Sequence, residues 1–393
     1  MKRIAFVLLV AGAFMAAVPA FAHHSFAATY FEDKNITVEG TLVQFMFRNP
    51  HSFVHIEAPD DKGNMETWAV EWGGGGQLSR EGVSRDTLKP GDHVITSSVE
   101  HHAVLFACKH LQETGNDVSY LPVDGRGLID PGDVRRALRP NTKLISVMMA
   151  NNETGIIQPV EEIGKIAAEA GVMFHTDAVQ AVGKIPVDVK RIGCHALSLS
   201  GHKLHAPQGV GALYVRKGTR LQPLFYGGRH ERSRRAGTEN VPGIVGLGKA
   251  AELAMQGFAD GADDNMAALR DRLQQSILSR LEEATINGDG APRVPNTVNI
   301  SFHHIEGEAM VIALDLKGLA VSTGAACASG AIEPSHVLTA MGLRGDRARG
   351  SIRFSLGKQN SVEDVDFALS LIPTTVARLR DLSPVYPRAA ITS

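Results

Sequence analysis

Cysteine is scarce in this chain: its 393 residues hold three, Cys108, Cys194 and Cys327, far apart in sequence. That spacing offers neither a disulfide framework nor a C-x-x-C zinc pair, and at most one pair could bridge. Charge of one sign is lacking too. With 40 Lys and Arg against 42 Asp and Glu, the formal net charge of -2 supplies no general basic field for nucleic acid. The run His230 to Arg235 is basic but short and broken by Glu231, so it reads as a solvated loop. Beyond the N-terminus no stretch of roughly 20 uncharged apolar residues occurs, which leaves no later candidate for a spanning helix. Internal repeats and low-complexity tracts are absent. What remains, 44% hydrophobic and 21% charged residues, is the composition of a folded chain with two or three domains.

The first residues are different in kind. Lys2 and Arg3 precede an apolar run from Ile4 to Val18 and then Ala20-Phe21-Ala22. This is the pattern of a secretory signal with an A-x-A cleavage site, so residues 1–22 are expected to be removed on export to the periplasm and the mature chain to begin at His23. Residues 23–93 alternate apolar and polar side chains around Ile36 to Phe45, Ser52 to Glu57 and Glu66 to Trp72, with Asp60 to Asn64 as a hairpin turn. They read as a small all-β domain. Gly73 to Gly76 read as a flexible connection, since no Lys-Ser/Thr at a strand-to-helix turn follows them.

After Val94 strands alternate with helices of ten or more residues, which argues for an α/β fold with a mainly parallel sheet covered on both faces. Lys143 to Met149, Val172 to Thr176, His195 to Leu199 and Val210 to Val215 read as strands, and Pro159 as the first position of a helix. A large domain over 94–258 is followed by a smaller α+β lobe over 259–393. That lobe opens on a long amphipathic helix near Asp263 to Glu283 and contains strands near Thr297 to Ser301 and Ser351 to Phe354.

Ligands of open α/β sheets sit at the carboxyl ends of the strands. There the chain places Asn151-Asn152-Glu153-Thr154-Gly155, then Asp177-Ala-Val-Gln180, then Ser200-Gly-His202-Lys203. An acid, a lysine, and hydroxyl or imidazole donors at consecutive strand ends suit a cofactor with a pyridine nitrogen, an aldehyde and a phosphate, which is pyridoxal 5'-phosphate. Asp177 would keep the ring nitrogen protonated, Lys203 would bond the aldehyde, and Ser200 and His202 would donate to the phosphate.

Six motifs in order, Glu100-His101-His-Ala-Val, Asn151-Asn-Glu-Thr-Gly, His175-Thr-Asp-Ala-Val-Gln, Ser200-Gly-His-Lys, Arg235-Ala-Gly-Thr-Glu-Asn and Ser322-Thr-Gly-Ala-Ala-Cys327-Ala-Ser-Gly, resemble those of bacterial cysteine desulfurases. The resemblance runs from about Val94 through Arg353 to the last helix. It implies a type I pyridoxal-phosphate-dependent transferase fold and a homodimer. It further implies conversion of L-cysteine to L-alanine, with the sulfur left as a persulfide on Cys327 for an iron–sulfur scaffold or another sulfur acceptor. Carried over by motif, His101 would stack on the ring and help proton transfer, and Asn152 and Gln180 would contact cofactor or substrate oxygens. Thr238 would reach the neighbouring subunit's phosphate, and Arg353 would clamp the substrate carboxylate, a task that suits a guanidinium's two parallel donors. No residue is assigned as a resident metal ligand, and Cys327 would meet iron only during transfer. Cys108 and Cys194, in apolar surroundings, read as buried structural thiols.

Family members carry a Ser/Thr-Gly-rich turn at a helix N-terminus ahead of the Glu-His motif, and this chain does not. Residues 1–93 resemble instead a family of small exported bacterial proteins of unknown function, through Ala22-His-His-Ser-Phe26, Asn49-Pro-His51, Trp68 and Leu88-Lys-Pro-Gly-Asp92, with the join near Gly91 to Ile95. The lost turn implies weaker retention of the cofactor phosphate. The exported leader implies periplasmic location, whereas the desulfurase resemblance implies the cytoplasm. Two other functions compete. One is an exported binding module with an inactive desulfurase remnant, in which His23 and His24 beside a new amino terminus would offer a copper or nickel site. The other is a selenocysteine lyase, which uses the same cofactor chemistry.

Overall fold

The computed structural model describes residues 37–47, 52–60, 63–72, 91–324, 334–384 and 386. The expected leader, His23, His24, the Gly73 to Gly76 run and Cys327 lie outside these described residues. Near the N-terminus, strands β1 (Thr41–Met46), β2 (Ser52–Pro59) and β3 (Met65–Trp72) form an antiparallel sheet in that order. Asp60 makes the β2–β3 turn as its neighbours in sequence suggest. Its carboxylate accepts from the Asn64 backbone N–H at 2.8 Å, and Gly63 supplies the positive φ of 83°.

The main sheet has six strands in the order β5-β4-β6-β7-β8-β9. β4 (His93–Ser97), β5 (Asp117–Leu121), β6 (Thr142–Ser146), β7 (Met173–Asp177) and β8 (Ala196–Ser200) run parallel, and β9 (Gly211–Val215) pairs antiparallel with β8 at the edge. Helices α1 (His102–Glu113), α2 (Pro131–Ala137) and α3 (Val160–Glu169) connect the first strands. Pro159 is the residue capping α3, one position ahead of the first helical turn where the sequence pattern placed it, and both settings tolerate a missing N–H. Strand residues Ile95, Ile145, Phe174 and Leu197 pack with Val160, Ile163 and Ile166 of α3 in the principal core. Each such isoleucine taken out of water contributes about 1.5–3 kcal/mol. In mid-sheet His175 bridges Ser146 and Ser198 at 2.8 Å each, a neutral imidazole held by two hydroxyls, and burial lowers its pKa.

A second, antiparallel sheet of β10 (Ala284–Ile286), β11 (Thr297–Phe302) and β12 (Ser351–Ser355) makes the C-terminal lobe. The long helices α4 (Val241–Ala259) and α5 (Ala262–Arg280) precede it in the chain, and the closing helix α6 (Val362–Leu382) packs against it. Its core gathers Val298, Ile300, Phe302, Ile352 and Phe354 from the strands with Ile277, Val365, Leu369 and Ile372 from α5 and α6. Ser361 starts α6 with a reciprocal capping box to Asp364.

Glu100, just before α1, ties β4 to β6 at the end of the sheet where the site lies. Its Oε1 accepts from Ser97 Oγ and from the Met148 backbone N–H, both at 2.7 Å, while Oε2 is buried with no partner. Burial in an apolar setting pushes this carboxyl up to about 8. Between about pH 4.5 and 8 the folded chain therefore holds a proton that the unfolded chain has released, so this group makes stability fall as pH rises through that window. Glu100→Gln removes the term. Urea unfolding of the two proteins from pH 5 to 8.5 should show the difference in stability moving steadily in favour of the variant; parallel profiles would refute this protonation state.

Candidate active site

The carboxyl ends of β6, β7 and β8 face the C-terminal lobe, and a cavity of about 240 Å³ opens between them. Asn152, Gln180, Lys184, His202, Lys203 and Arg353 line it, with Asn296, Thr297 and Ser355 of the C-terminal lobe on the far wall. β8 ends in Ser200, and a 3₁₀ turn over Gly201–Leu204 then carries His202 and Lys203. Gly201 permits the tight turn: a Cβ there would come within 2.9 Å of the Val210 carbonyl oxygen. Leu204 is buried as the anchor of that turn, while Lys203 stays exposed to the cavity.

Of the residues singled out by sequence, the structure gathers Asn152, Gln180, His202, Lys203 and Arg353 around this cavity. Asp177, at the end of β7, lies behind the wall, 9% exposed, its Oδ1 accepting from the Val179 N–H at 2.9 Å. Ser200 is not a lining residue but bonds His202 Nδ1 at 2.8 Å, which orients the imidazole. His101 caps α1, its Nδ1 accepting from the Ala103 N–H at 3.2 Å, so the neutral ring carries its proton on Nε2. Thr238 stands exposed on the turn before α4, away from the cavity lining. Cys108 and Cys194 are free and buried, and burial raises both thiols, as befits structural cysteines.

Two polar residues escaped the sequence reading. Lys184 did not figure in the sequence reading, yet it lines the cavity and its amine donates to Gln180 Oε1 at 2.5 Å. Burial, and then the charges of Lys203 and Arg353, lower it to about 8. Glu153 was visible only as the middle of a motif; it is 2% exposed and its carboxylate takes a bond from Ser335 Oγ at 2.5 Å.

The residues present fit pyridoxal phosphate. An amine at Lys203 suits an aldehyde, and a buried carboxylate at Asp177 suits a protonated ring nitrogen. His202, steadied by Ser200, suits a phosphate, and three cations on one cavity call for an anion. The Asn152 Oδ1 is buried without a partner beside the same cavity, the mark of a site that leaves an acceptor for a ligand.

Comparison with known proteins agrees with this geometry. The model of the aminotransferase class-V family matches residues 75–367, and that of a family of unknown function, DUF6152, matches residues 12–104. The first match starts ahead of Val94, and the two overlap across the join placed near Gly91 to Ile95. The chain is 50% identical over 323 residues to a cysteine desulfurase IscS of Methanosarcina thermophila, covering 82% of this chain and 77% of that protein. It is 53% identical over 306 residues to a cysteine desulfurase of Gluconacetobacter diazotrophicus, covering 78% and 76%. Among solved structures, a NifS-like protein superposes with a TM-score of 0.68 at 38% identity, over 74% of this chain and 76% of that one.

Lys184 yields a test. Its charge-assisted bond fixes the Gln180 amide, and loss of such a bond costs about 1.5 kcal/mol or more. Lys184→Met should therefore weaken pyridoxal-phosphate binding by about tenfold in an absorbance titration near pH 7. The wild-type advantage should fade as the pH climbs through about 8, where Lys184 sheds its charge. An unchanged affinity at pH 7 would show that Lys184 plays no part in the site.

Proposed function

The chain belongs to the aminotransferase class-V family, and from that premise we propose that it is a pyridoxal-phosphate-dependent cysteine desulfurase that converts L-cysteine to L-alanine. The observation that carries this reading is the meeting of Lys203, Arg353, Asn152 and Gln180 on one cavity, next to the buried Asp177. When bound, pyridoxal phosphate supplies an electron-accepting ring and an aldehyde, which together weaken bonds around the α-carbon of an amino acid. Lys203 is the residue that would bond it, Asp177 would keep its ring nitrogen protonated, and Ser200 and His202 would hold its phosphate.

The chain's own groups do the rest. Arg353 receives the substrate carboxylate, and Asn152 and Gln180 fix the orientation of nearby oxygens. His101, with its proton on Nε2, exchanges protons with the reacting carbon or amine. Cys327, as thiolate, takes the sulfur of L-cysteine. The Cβ–S bond breaks with its electron pair left on carbon, which is then protonated, and an S–S bond forms on Cys327. Alanine leaves, and the persulfide passes to an acceptor protein. Cys327, lying outside the described residues, enters on its motif alone.

Two further parts of the proposal rest on other features. Residues 1–22 are a secretory signal, supported by Lys2, Arg3, the apolar run and Ala20-Phe21-Ala22. The enzyme is a homodimer, supported by exposed Leu224, Phe225 and Tyr226 together with Val241, Ile244 and Val245 on α4, more apolar surface than a monomer usually leaves open.

The decisive experiment is to purify the chain with pyridoxal phosphate and supply L-cysteine. The wild type should be yellow, release alanine and gain one sulfur on Cys327; Lys203→Ala should lose the colour, and Cys327→Ser should keep it while forming no persulfide. Colourless protein that remains so with excess cofactor would overturn the proposal. The same preparation from a periplasmic fraction should begin at His23 by intact mass. Sedimentation should give a dimer that Val245→Glu shifts toward monomer, and a monomeric wild type would refute that part.

A further inference from the structure

Residues 325–333, the stretch that carries Cys327 in the sequence, are flanked by Gly324 and Pro334-Ser335, and one buried carboxylate meets both flanks. We propose that Glu153 is a positioning residue for the sulfur-accepting step, its side chain bonding Ser335 and packing close against Gly324 from the turn that follows β6. This inference rests on the desulfurase reading above for its consequence, but not for its geometry.

The Glu153 backbone is fixed from both lobes. Asn151 Oδ1 accepts from the N–H groups of Glu153 and Thr154 at 2.9 and 3.0 Å, and Asn299 Nδ2 of β11 donates to the Glu153 carbonyl at 3.1 Å. So held, the side chain reaches two places. Its Oε2 accepts from Ser335 Oγ at 2.5 Å, and that same hydroxyl oxygen caps the short helix His336–Ala340 by accepting from Val337 and Leu338. On the other flank Gly324 has a φ of 91° and lies so close that a Cβ there would be 3.2 Å from Glu153 Oε2. Gly324 N in turn donates to Ser322 Oγ at 3.1 Å, and Ser322 exchanges two backbone bonds with Arg353, at 2.6 and 3.3 Å. Arg353 Nη1 closes the ring on the Asn152 carbonyl at 2.8 Å.

A carboxylate with almost no access to water keeps its charge only if its surroundings pay for it. Burial raises Glu153, and the Ser335 hydroxyl, Arg353 of β12, and His102 and His101 of α1 act against that rise. Burial prevails, so this carboxyl stays above its ordinary value, with the Ser335 hydroxyl and then the substrate arginine offsetting part of the rise. Removing it should free both flanks together, whereas an ordinary core residue would disturb packing without favouring them.

The test uses full-length protein loaded with pyridoxal phosphate, and measures two rates. One is alkylation of Cys327 by iodoacetamide, followed by peptide mass with Cys108 and Cys194 as internal reporters of folding. The other is alanine release from L-cysteine. Glu153→Ala should speed alkylation of Cys327 by about threefold or more and slow kcat by about tenfold, the loss of one strong bond to a charged group, with KM little changed. Glu153→Gln keeps an acceptor for Ser335 Oγ and should recover most of the loss. Ser335→Ala should act in the same directions as Glu153→Ala, and add nothing when combined with it. Should Glu153→Ala expose Cys108 and Cys194, the variant is misfolded and Ser335→Ala decides alone. Wild-type alkylation and kcat in these variants, or a fall confined to cofactor binding, would overturn the proposal. If the wild type releases no alanine, the desulfurase reading fails by itself, and the alkylation rates still judge the tether.

Discussion

Three cationic side chains share one cavity, and much of the site follows from the cost of keeping them there. Lys184, Lys203 and Arg353 come from three segments far apart in sequence, and each raises the energy of the others. Burial first, and then repulsion less screened than in water, make Lys184 give up part of its basicity, down to about 8. An anion relieves all three at once. A cavity with this charge suits an anionic ligand, such as a phosphorylated cofactor that meets an amino-acid carboxylate.

The fold that holds these cations apart in sequence and together in space was legible to a large degree. Strands such as Val172 to Thr176 and His195 to Leu199 announce themselves as short, largely apolar stretches between helical segments, and the structure has them as β7 and β8. Asp60 to Asn64 was readable as a turn because its chemistry is local. Lys184 was not readable. Nothing in Gly183-Lys184-Ile185 separates a lysine on a cavity wall from one on a solvated surface, since the difference lies in what Arg353, well over a hundred residues later, brings to the other side. Asp177, expected from its strand-end position to face the ring nitrogen, is buried at the end of β7 beside the cavity rather than among its lining residues.

Glu153 belongs to both lobes, which is why its role is hidden from sequence. Its main chain is bonded by Asn151 from the large domain and by Asn299 from the small one, and its side chain is spent on Ser335. A buried carboxylate that served only stability would be a poor choice, because an apolar side chain of similar volume costs less to bury. A hydrogen-bonding group at this place makes sense where position matters more than energy: hydrogen bonds have direction, and the residues so directed flank the cysteine motif. Glu100, after β4, solves the same problem differently: it stays protonated up to about pH 8, with one oxygen used by Ser97 and Met148 and the other left bare.

How the phosphate is held distinguishes this chain from the pattern it resembles. Apart from the 3₁₀ turn over Gly201–Leu204, the described residues lining the cavity include no first-turn residue of an α-helix, so aligned backbone N–H groups of the kind that usually cup a phosphate are not what faces the ligand. In the proposed reading the work would fall to side chains, His202 braced by Ser200, with the neighbouring cavity lysines adding positive charge. Backbone donors at a helix start are fixed and cost no rotamer entropy to order, whereas lysine gives up much of its freedom on binding. An anion held by such flexible point charges is bound less tightly and yields more readily to salt. In the proposed reading the chemistry would rest on Lys203, Asp177 and Arg353, while the described residues around the cavity would grip the cofactor phosphate through side chains.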